Sequence, residues 1–139
     1  MRRDGLDALL VTNPVDIRYL TGFSGEASYA LVTRAQFWVI SDFRFQEELA
    51  ALRGLARVFI RTGEIVGALG EVAGRMGLKA IGFQSEHLAY STATRIAGSL
   101  GVGNMRPTTG ILNDLRQIKE ESELASIRAA IKIQQDALV

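Results

Sequence analysis

Residues 6–25 read LDALLVTNPVDIRYLTGFSG, and this stretch holds a strand pattern, a helix start and a loop in immediate succession. Ala8–Val11 is a short continuous apolar run, which is typical of a buried strand. A turn ends the run, and Pro14 is suited to the first position of a short helix through Leu20. A glycine-containing loop follows. This order predicts the beginning of a domain in which a sheet is covered by helices.

The same alternation continues outward along the chain. Two β-prone runs, 29–33 and 37–41, are separated by three residues and predict an antiparallel hairpin. A helix capped by Asp42 and ended by Gly54 is expected next. Strand patterns then recur at 58–60, 80–83 and 105–109, and helix patterns at 64–75 and 88–100. Because Pro107 lacks a backbone donor, the last strand is predicted to lie at a sheet edge.

Three glycines fall inside the predicted helix at 64–75: Gly67, Gly70 and Gly74. Each lowers the stability of a helix by about 1 kcal/mol relative to alanine. We therefore expect them to be there because they let the helix pack closely on a neighbour.

The final segment has the clearest helical pattern. From Glu121 onward, apolar residues recur on one face at spacings of three, four and seven: Leu124, Ile127, Ile131 and Leu138. The pattern reaches Val139 without a glycine, a proline or a polar tail, which predicts that the helix belongs to a longer protein. The alternative is a terminal helix that docks on its own sheet.

Composition excludes several classes of function. The chain has 139 residues, 16 basic and 15 acidic side chains, and no block of like charge. Neither a nucleic acid nor a membrane surface is therefore predicted as a partner. The absence of cysteine excludes disulfides and thiolate chemistry, and fits a cytoplasmic protein. No apolar run is long enough to span a bilayer.

The residues themselves offer no complete active site. His87 is the single histidine, and it precedes an apolar helix start, where a structural or surface imidazole is expected. Carboxylates are scattered without metal-ligand spacing. The segment around Ser24 lacks the glycine spacing of a nucleophile elbow, and no glycine-rich piece has the spacing of a phosphate-binding loop. We predict neither a cofactor nor a metal centre within these residues.

Two stretches nevertheless carry alternative interpretations. In 42–45, Asp42 is a helix cap and Arg44 a solvated cation; alternatively, Arg44 is a fixed cation beside an aromatic ring, suited to binding a carboxylate. The loop at 22–28 is an ordinary connection with flexible glycines, or alternatively a lid or contact segment.

Three pieces in fixed order resemble a known family: LDALLVTNPVDIRYLTGFSG at 6–25, SDFRFQEEL at 41–49, and LNDLRQIKEESELASIRAAIKI at 112–133. Together they are similar to the N-terminal domain of the creatinase, prolidase and Xaa-Pro aminopeptidase family. The resemblance implies an α/β fold with a mixed sheet of about six strands flanked by helices, ending in a connector helix. It implies a domain at 1–110, and a connector with the first, truncated helix of a catalytic domain at 111–139.

The resemblance also implies a function for the whole parent protein. That protein would hydrolyse Xaa-Pro peptide bonds with two divalent metal ions held by residues beyond Val139, so this fragment alone would be inactive. The domain would mediate a homodimer or higher oligomer. Its loop would contact a neighbouring subunit's active site through these candidate residues: Phe23, Ser24, Gly25, Glu26 and Arg44. The tyrosine of the family's Asp-x-Arg-Tyr pattern is Phe45 here, so no hydroxyl is available at that position.

Three alternatives remain open at this point. The same domain also occurs in creatinase-type hydrolases and in non-catalytic relatives. A small nucleotide-binding α/β domain is the third possibility, which rests on the fold class alone.

Overall fold

A computed structural model of the chain describes residues 5–101 and 104–138. The strands are β1 (Ala8–Val11), β2 (Tyr29–Thr33), β3 (Phe37–Asp42), β4 (Arg57–Arg61), β5 (Ala80–Gln84) and β6 (Asn104–Thr108). The helices are α1 (Pro14–Thr21), α2 (Gln46–Ala50), α3 (Ile65–Met76), α4 (Tyr90–Leu100), α5 (Ile111–Gln117) and α6 (Glu121–Ala137). The predicted α/β fold with a mixed six-stranded sheet is confirmed.

The sheet has the strand order β4-β3-β2-β1-β5-β6. β2 pairs antiparallel with both of its neighbours, and every other pair is parallel. The carboxyl ends of five strands therefore lie along one edge of the sheet, together with the beginning of β2. β6 is an edge strand, as Pro107 predicts.

The direction of each crossover decides which face its helix covers. The connection from β3 to β4 moves toward one side of the sheet, whereas the connections from β4 to β5 and from β5 to β6 move toward the other. Since parallel crossovers are almost always right-handed, opposite directions place helices on opposite faces. Accordingly, α3 and α4 contact each other and share one face.

Alternation along the strands divides the core between these two faces. Leu10, Leu31 and Ile40 are completely buried in the cluster formed with α3 and α4. Their neighbours point to the opposite face, where Val11 and Val39 are completely buried too. Burial of one such side chain stabilises the fold by roughly 1.5–3 kcal/mol.

Two predicted helices differ in detail from the observed ones. The segment after Asp42 begins as a 3₁₀ turn at Phe43–Phe45, and only Gln46–Ala50 is α-helical. The helix predicted at 88–100 begins at Tyr90, because Ala89 is extended with a ψ of 141°. Of the three glycines in α3, only Gly70 approaches a neighbour, Ser99, so the close-packing prediction is wrong for the other two.

The chain divides into two compact units, Met1–Thr109 and Gly110–Val139. The second unit consists of α5 and α6. At the start of α6, the Glu120 side chain accepts a backbone N–H and the Glu123 carboxylate accepts the N–H of Glu120 at 2.9 Å, which forms a capping box. Val139, where the sequence pattern ends, lies outside the described residues.

Candidate functional site

The candidate site lies at the edge where five strands end and β2 begins. The loop at 22–28 connects α1 to β2 at this edge, and Asp42 is the last residue of β3. Ligands of open α/β sheets commonly bind outside the carboxyl ends of the strands. The 3₁₀ turn that carries Arg44 begins directly after Asp42, so the loop and the turn lie at the same edge.

The first turn of the loop is set by the end of α1. Gly22 has a φ of 77°, which favours glycine, and its N–H donates to the carbonyl oxygen of Arg18 at 2.7 Å. The Thr21 hydroxyl donates to the carbonyl of Ile17 at 2.6 Å and accepts the N–H of Phe23 at 3.1 Å. The direction in which the chain leaves the helix is therefore fixed by hydrogen bonds.

Phe23 holds the loop to the body of the domain. Its side chain is buried and meets the ring of Phe45 edge to face, with 5.7 Å between the ring centroids. The ring also lies over Gly25, where a Cβ atom would be 2.2 Å from the Cζ atom of Phe23. Only glycine fits at position 25 with the ring in this place.

Two serines complete the attachment of the loop. The N–H and the hydroxyl of Ser24 both donate to the Glu48 Oε1 atom on α2, at 2.7 and 2.9 Å. The Ser28 hydroxyl donates to the Ser41 hydroxyl at 2.7 Å in a buried position. These contacts tie the loop to the domain at its start, middle and end.

Glu26 differs from the other loop residues. Its side chain is exposed and makes no hydrogen bond or ion pair with any of the described residues. It is therefore a carboxylate held on a fixed loop and available to a cationic group.

A carboxylate shared by two arginines lies next to the loop. The two oxygens of Asp42 accept hydrogen bonds from Nε and Nη2 of Arg44, at 2.8 and 2.7 Å. Arg61 donates to the same carboxylate through Nη2 at 3.0 Å. One negative charge thus faces two positive charges, and the cluster keeps a formal excess of one positive charge.

Ion pairing at this cluster changes the acidity of its members. Hydrogen bonds from the Arg44 side chain lower the pKa of Asp42 from its ordinary value of 3.8 to about 2. The Asp42 carboxylate in turn raises the pKa of Arg44. Arg44 also lies 5.4 Å from the centre of the Phe45 ring, so the guanidinium is exposed but fixed in position.

The structure combines the two sequence interpretations of Arg44. Its side chain is solvent-exposed, yet the bidentate contact with Asp42 holds its guanidinium beside an aromatic ring. The structure also adds Glu48 and Arg61, which sequence reasoning missed. Their partners lie 24 and 19 residues away along the chain, and no local pattern reports contacts at that distance.

A second polar network lies where the neighbouring strands β1 and β5 end. The Gln84 side chain accepts the N–H of Thr12 at 3.0 Å and donates to the Asp16 carboxylate at 2.6 Å. Asn13 joins this network and lies 3.2 Å from the Nε2 atom of His87. His87 is thus a structural partner of Asn13, as its sequence position predicts.

In residues 5–101 and 104–138 no group of three or more histidine or carboxylate side chains is placed to hold a metal ion. Over the same ranges, no helix is both long and apolar enough to cross a bilayer.

The fold and the sequence together define the family. Residues 1–118 match the family described as the creatinase/prolidase N-terminal domain, and the chain belongs to this family. A curated relative, "Uncharacterized peptidase YqhT" of Bacillus subtilis (strain 168), is 26% identical over 133 residues, which are 96% of this chain and 38% of that protein.

Solved structures give the same result. The Xaa-Pro dipeptidase from Bacillus anthracis matches with a TM-score of 0.83 and 27% identity, over 89% of this chain and 35% of that one. The N-terminal domain of cytoplasmic peptidase PepQ from Mycobacterium tuberculosis H37Rv matches with a TM-score of 0.70 and 27% identity, over 82% of this chain and 90% of that one. The chain thus spans less than two fifths of the longer relatives and nearly all of the isolated domain.

Proposed function

We propose that this chain is the N-terminal domain of an Xaa-Pro peptidase that acts in the cytoplasm. In this proposal residues 1–110 form the domain, and residues 111–139 form the connector and the first helix of a catalytic domain. The support is the likeness to an Xaa-Pro dipeptidase over 89% of this chain but only 35% of that protein. One matched relative is described as a cytoplasmic peptidase.

Catalysis is assigned to the remainder of the parent protein. Two divalent metal ions bound there would activate water for attack on the Xaa-Pro bond. In this proposal the present chain binds and positions substrate or subunits. The isolated chain is accordingly expected to have no peptidase activity.

The role of the chain is to support assembly into a homodimer or higher oligomer and to cap the active site of a neighbouring subunit with the loop at 22–28. The observation that carries this proposal is the contrast within the loop. Phe23, Gly25 and Ser24 are occupied in fixing it to the domain, whereas Glu26 is exposed and unpaired among the described residues. A loop that is already held in place loses less backbone conformational entropy on binding than a flexible one.

Each candidate residue has a distinct part in this proposal. Glu26 attracts the protonated amine of a proline-containing peptide. Arg44, held by Asp42, offers a fixed cation at the same sheet edge and shapes the site. Phe23, Ser24 and Gly25 determine where the loop stands.

Steady-state kinetics on the parent protein test the role of Glu26. Glu26→Gln is expected to raise KM for an Xaa-Pro dipeptide about tenfold, which corresponds to about 1.4 kcal/mol, with kcat little changed. Glu71→Gln is the matched control, because it makes the same change at an exposed glutamate on α3 that pairs with Arg75. Equal kinetics for both variants and the unmodified enzyme would remove Glu26 from the site.

A mixing experiment tests whether the loop acts between subunits. One parent variant carries Glu26→Gln, and the other has its catalytic metal ligands removed. If the loop caps a neighbour's site, a mixed oligomer contains a site in which the metal ligands of one subunit face the unmodified Glu26 of the other. A fraction of the sites then regains the KM of the unmodified enzyme. If the oligomers are shown to exchange subunits and mixing does not restore the KM of the unmodified enzyme at any site, the loop acts within its own subunit.

A further inference from the structure

The strand β4 ends the sheet on one side. Within the described residues, β4 pairs only with β3, so its other side carries backbone N–H and C=O groups without a strand partner. The strand reads RVFIR and contains no proline, unlike β6 at the other end of the sheet. Such an edge can accept an extended segment as an additional strand.

A groove lies directly beside this edge. It has a volume of about 810 Å³ and runs between β4 and the segment that comprises the 3₁₀ turn and α2. Its lining is mainly apolar and includes Phe43, Leu49, Val58 and Ile60. Because Val58 and Ile60 alternate with the other residues of β4, side chains of an added strand would enter the groove at alternate positions.

The charges around the unpaired side of β4 are mostly positive. β4 begins with Arg57 and ends with Arg61, and both point to the face opposite the groove, where they pair with Trp38 and Asp42 of β3. Arg53 lines the groove, and its side chain makes no hydrogen bond or ion pair with any described residue. A segment that adds to β4 would therefore be favoured by acidic residues opposite the two strand arginines.

A second copy of the chain fits this edge poorly. Antiparallel pairing of two β4 strands about Phe59 would place Arg57 of each copy opposite Arg61 of the other. Like charges directly across a strand pair are destabilising. The charges at this edge thus favour a different partner.

We propose that β4 and its groove form a docking site for an extended acidic segment of another protein, which adds as a seventh strand. The segment has the pattern acidic–apolar–polar–apolar–acidic, with its apolar side chains in the groove and its acidic ones beside Arg57 and Arg61. The groove shares Arg44 with the candidate site, but docking at β4 does not require the loop at 22–28, and its test requires no peptidase activity.

The probe is the peptide acetyl-Glu-Val-Thr-Val-Glu-amide, whose sequence reads the same in both directions. Titration into the ¹⁵N-labelled 139-residue chain is expected to shift the amide resonances of Arg57–Arg61 and of α2. The peptide acetyl-Lys-Val-Thr-Val-Lys-amide is the matched control. It should bind about tenfold more weakly, since two cross-strand charge pairs change from attraction to repulsion.

Charge reversal provides the second measurement. Arg57→Glu should weaken binding of the Glu peptide and strengthen binding of the Lys peptide, and circular dichroism establishes that the variant is folded. Equal affinities for the two peptides, or shifts confined to residues away from β4 and α2, would overturn the proposal. The proposal would also be overturned if, without any peptide, the amide resonances of β4 shifted with protein concentration, because this would identify a second copy as the occupant.

Discussion

Gly25 is the residue at which the loop is most sensitive to a single added methyl group. A Cβ atom there would lie 2.2 Å from the Phe23 ring, which is itself buried against Phe45. Gly25→Ala is expected to destabilise the domain by about 1–3 kcal/mol, because the ring must leave its place. Urea unfolding followed by the fluorescence of Trp38, the single tryptophan, measures this change.

The matched control for that variant is Gly67→Ala. Position 67 lies in α3 with no atom within 4 Å of the added Cβ atom. This substitution should stabilise the chain by up to about 1 kcal/mol through helix propensity. A loss of stability at Gly67 similar to that at Gly25 would show that ring displacement is not the cause.

Because of Asp42, the stability of the domain changes with pH in the acid range. Hydrogen bonds from Arg44 lower its pKa to about 2 in the folded chain, from the ordinary value of 3.8. A lowered folded-state pKa contributes stability that is complete above about pH 4 and is lost as the pH falls toward 2. Asp7 acts in the same direction, because the N–H groups of Lys79 and Ala80 donate to it and lower its pKa.

The measurement is urea unfolding at several pH values between 7 and 2. Asp42→Asn should be less stable than the unmodified chain at pH 7, and its stability should fall less between pH 4 and pH 2. If the difference in free energy of unfolding between the two proteins stays constant over that range, the Asp42 carboxylate does not cause the loss of stability in acid.

When the His87 ring is uncharged, Asn13 should hold it in one tautomer. The Asn13 amide is oriented on both sides, since its oxygen accepts the N–H of Val15 and its nitrogen donates to Asp16. The same nitrogen lies 3.2 Å from Nε2 of His87, so that ring atom must accept and the proton resides on Nδ1. Imidazole ¹⁵N chemical shifts at neutral pH report the tautomer, and Asn13→Ala should abolish the preference. A ring protonated at Nε2 in the unmodified chain would contradict this hydrogen bond.

At the scale of a single element, the start of α6 depends on its capping box. The Glu120 side chain accepts the N–H of Glu123 in the first turn, and the Glu123 carboxylate accepts the N–H of Glu120, the residue that precedes the helix. Glu123→Ala should lower the stability of this helix by about 0.5–1 kcal/mol, because the N–H of the N-cap residue Glu120 loses its acceptor. Amide exchange at residues 120–124 measures the fraying. Glu121→Ala is the control, since the Glu121 carboxylate contacts Arg128 rather than the backbone.

At the scale of the whole molecule, the strand order predicts where the sheet opens first. β1 lies between β2 and β5, and all four of its residues are buried. β4 lies at the edge and is only partly buried. We expect the amide hydrogens of β1 to exchange only through global unfolding and those of β4 to exchange faster. Native-state hydrogen exchange read by NMR tests this order; uniform protection of the two strands would contradict it.

The sequence patterns predicted most of the fold because they depend on neighbours along the chain. The apolar run at Ala8–Val11, the turn at Pro14 and the edge position of Pro107 all follow from local chemistry. The strand order does not, since the parallel pairing of β1 with β5 joins residues such as Leu10 and Phe83 that are far apart in sequence.

The candidate site was predicted less completely, for the same reason. The residues of the loop and Arg44 were identified as a group by family resemblance. Their supports, such as Glu48 for Ser24 and Arg61 for Asp42, come from other elements and leave no local pattern. The short 3₁₀ turn after Asp42 was also missed, because 3₁₀ turns are frequent at the starts of α-helices and Asp42 caps the turn as it would cap a helix.

Because β2 runs opposite to the other five strands, the loop before it and the hairpin turn after it lie on two different surfaces of the domain. The loop at 22–28 enters β2 at one sheet edge, whereas the hairpin residues 34–36 leave it at the opposite edge, roughly 16 Å away for a five-residue strand. Since the chain has no cysteine, Ala35→Cys would provide a single thiol for a fluorophore or a surface tether. A dye attached there would follow the tumbling and immobilisation of the protein without shielding Glu26 or Arg44.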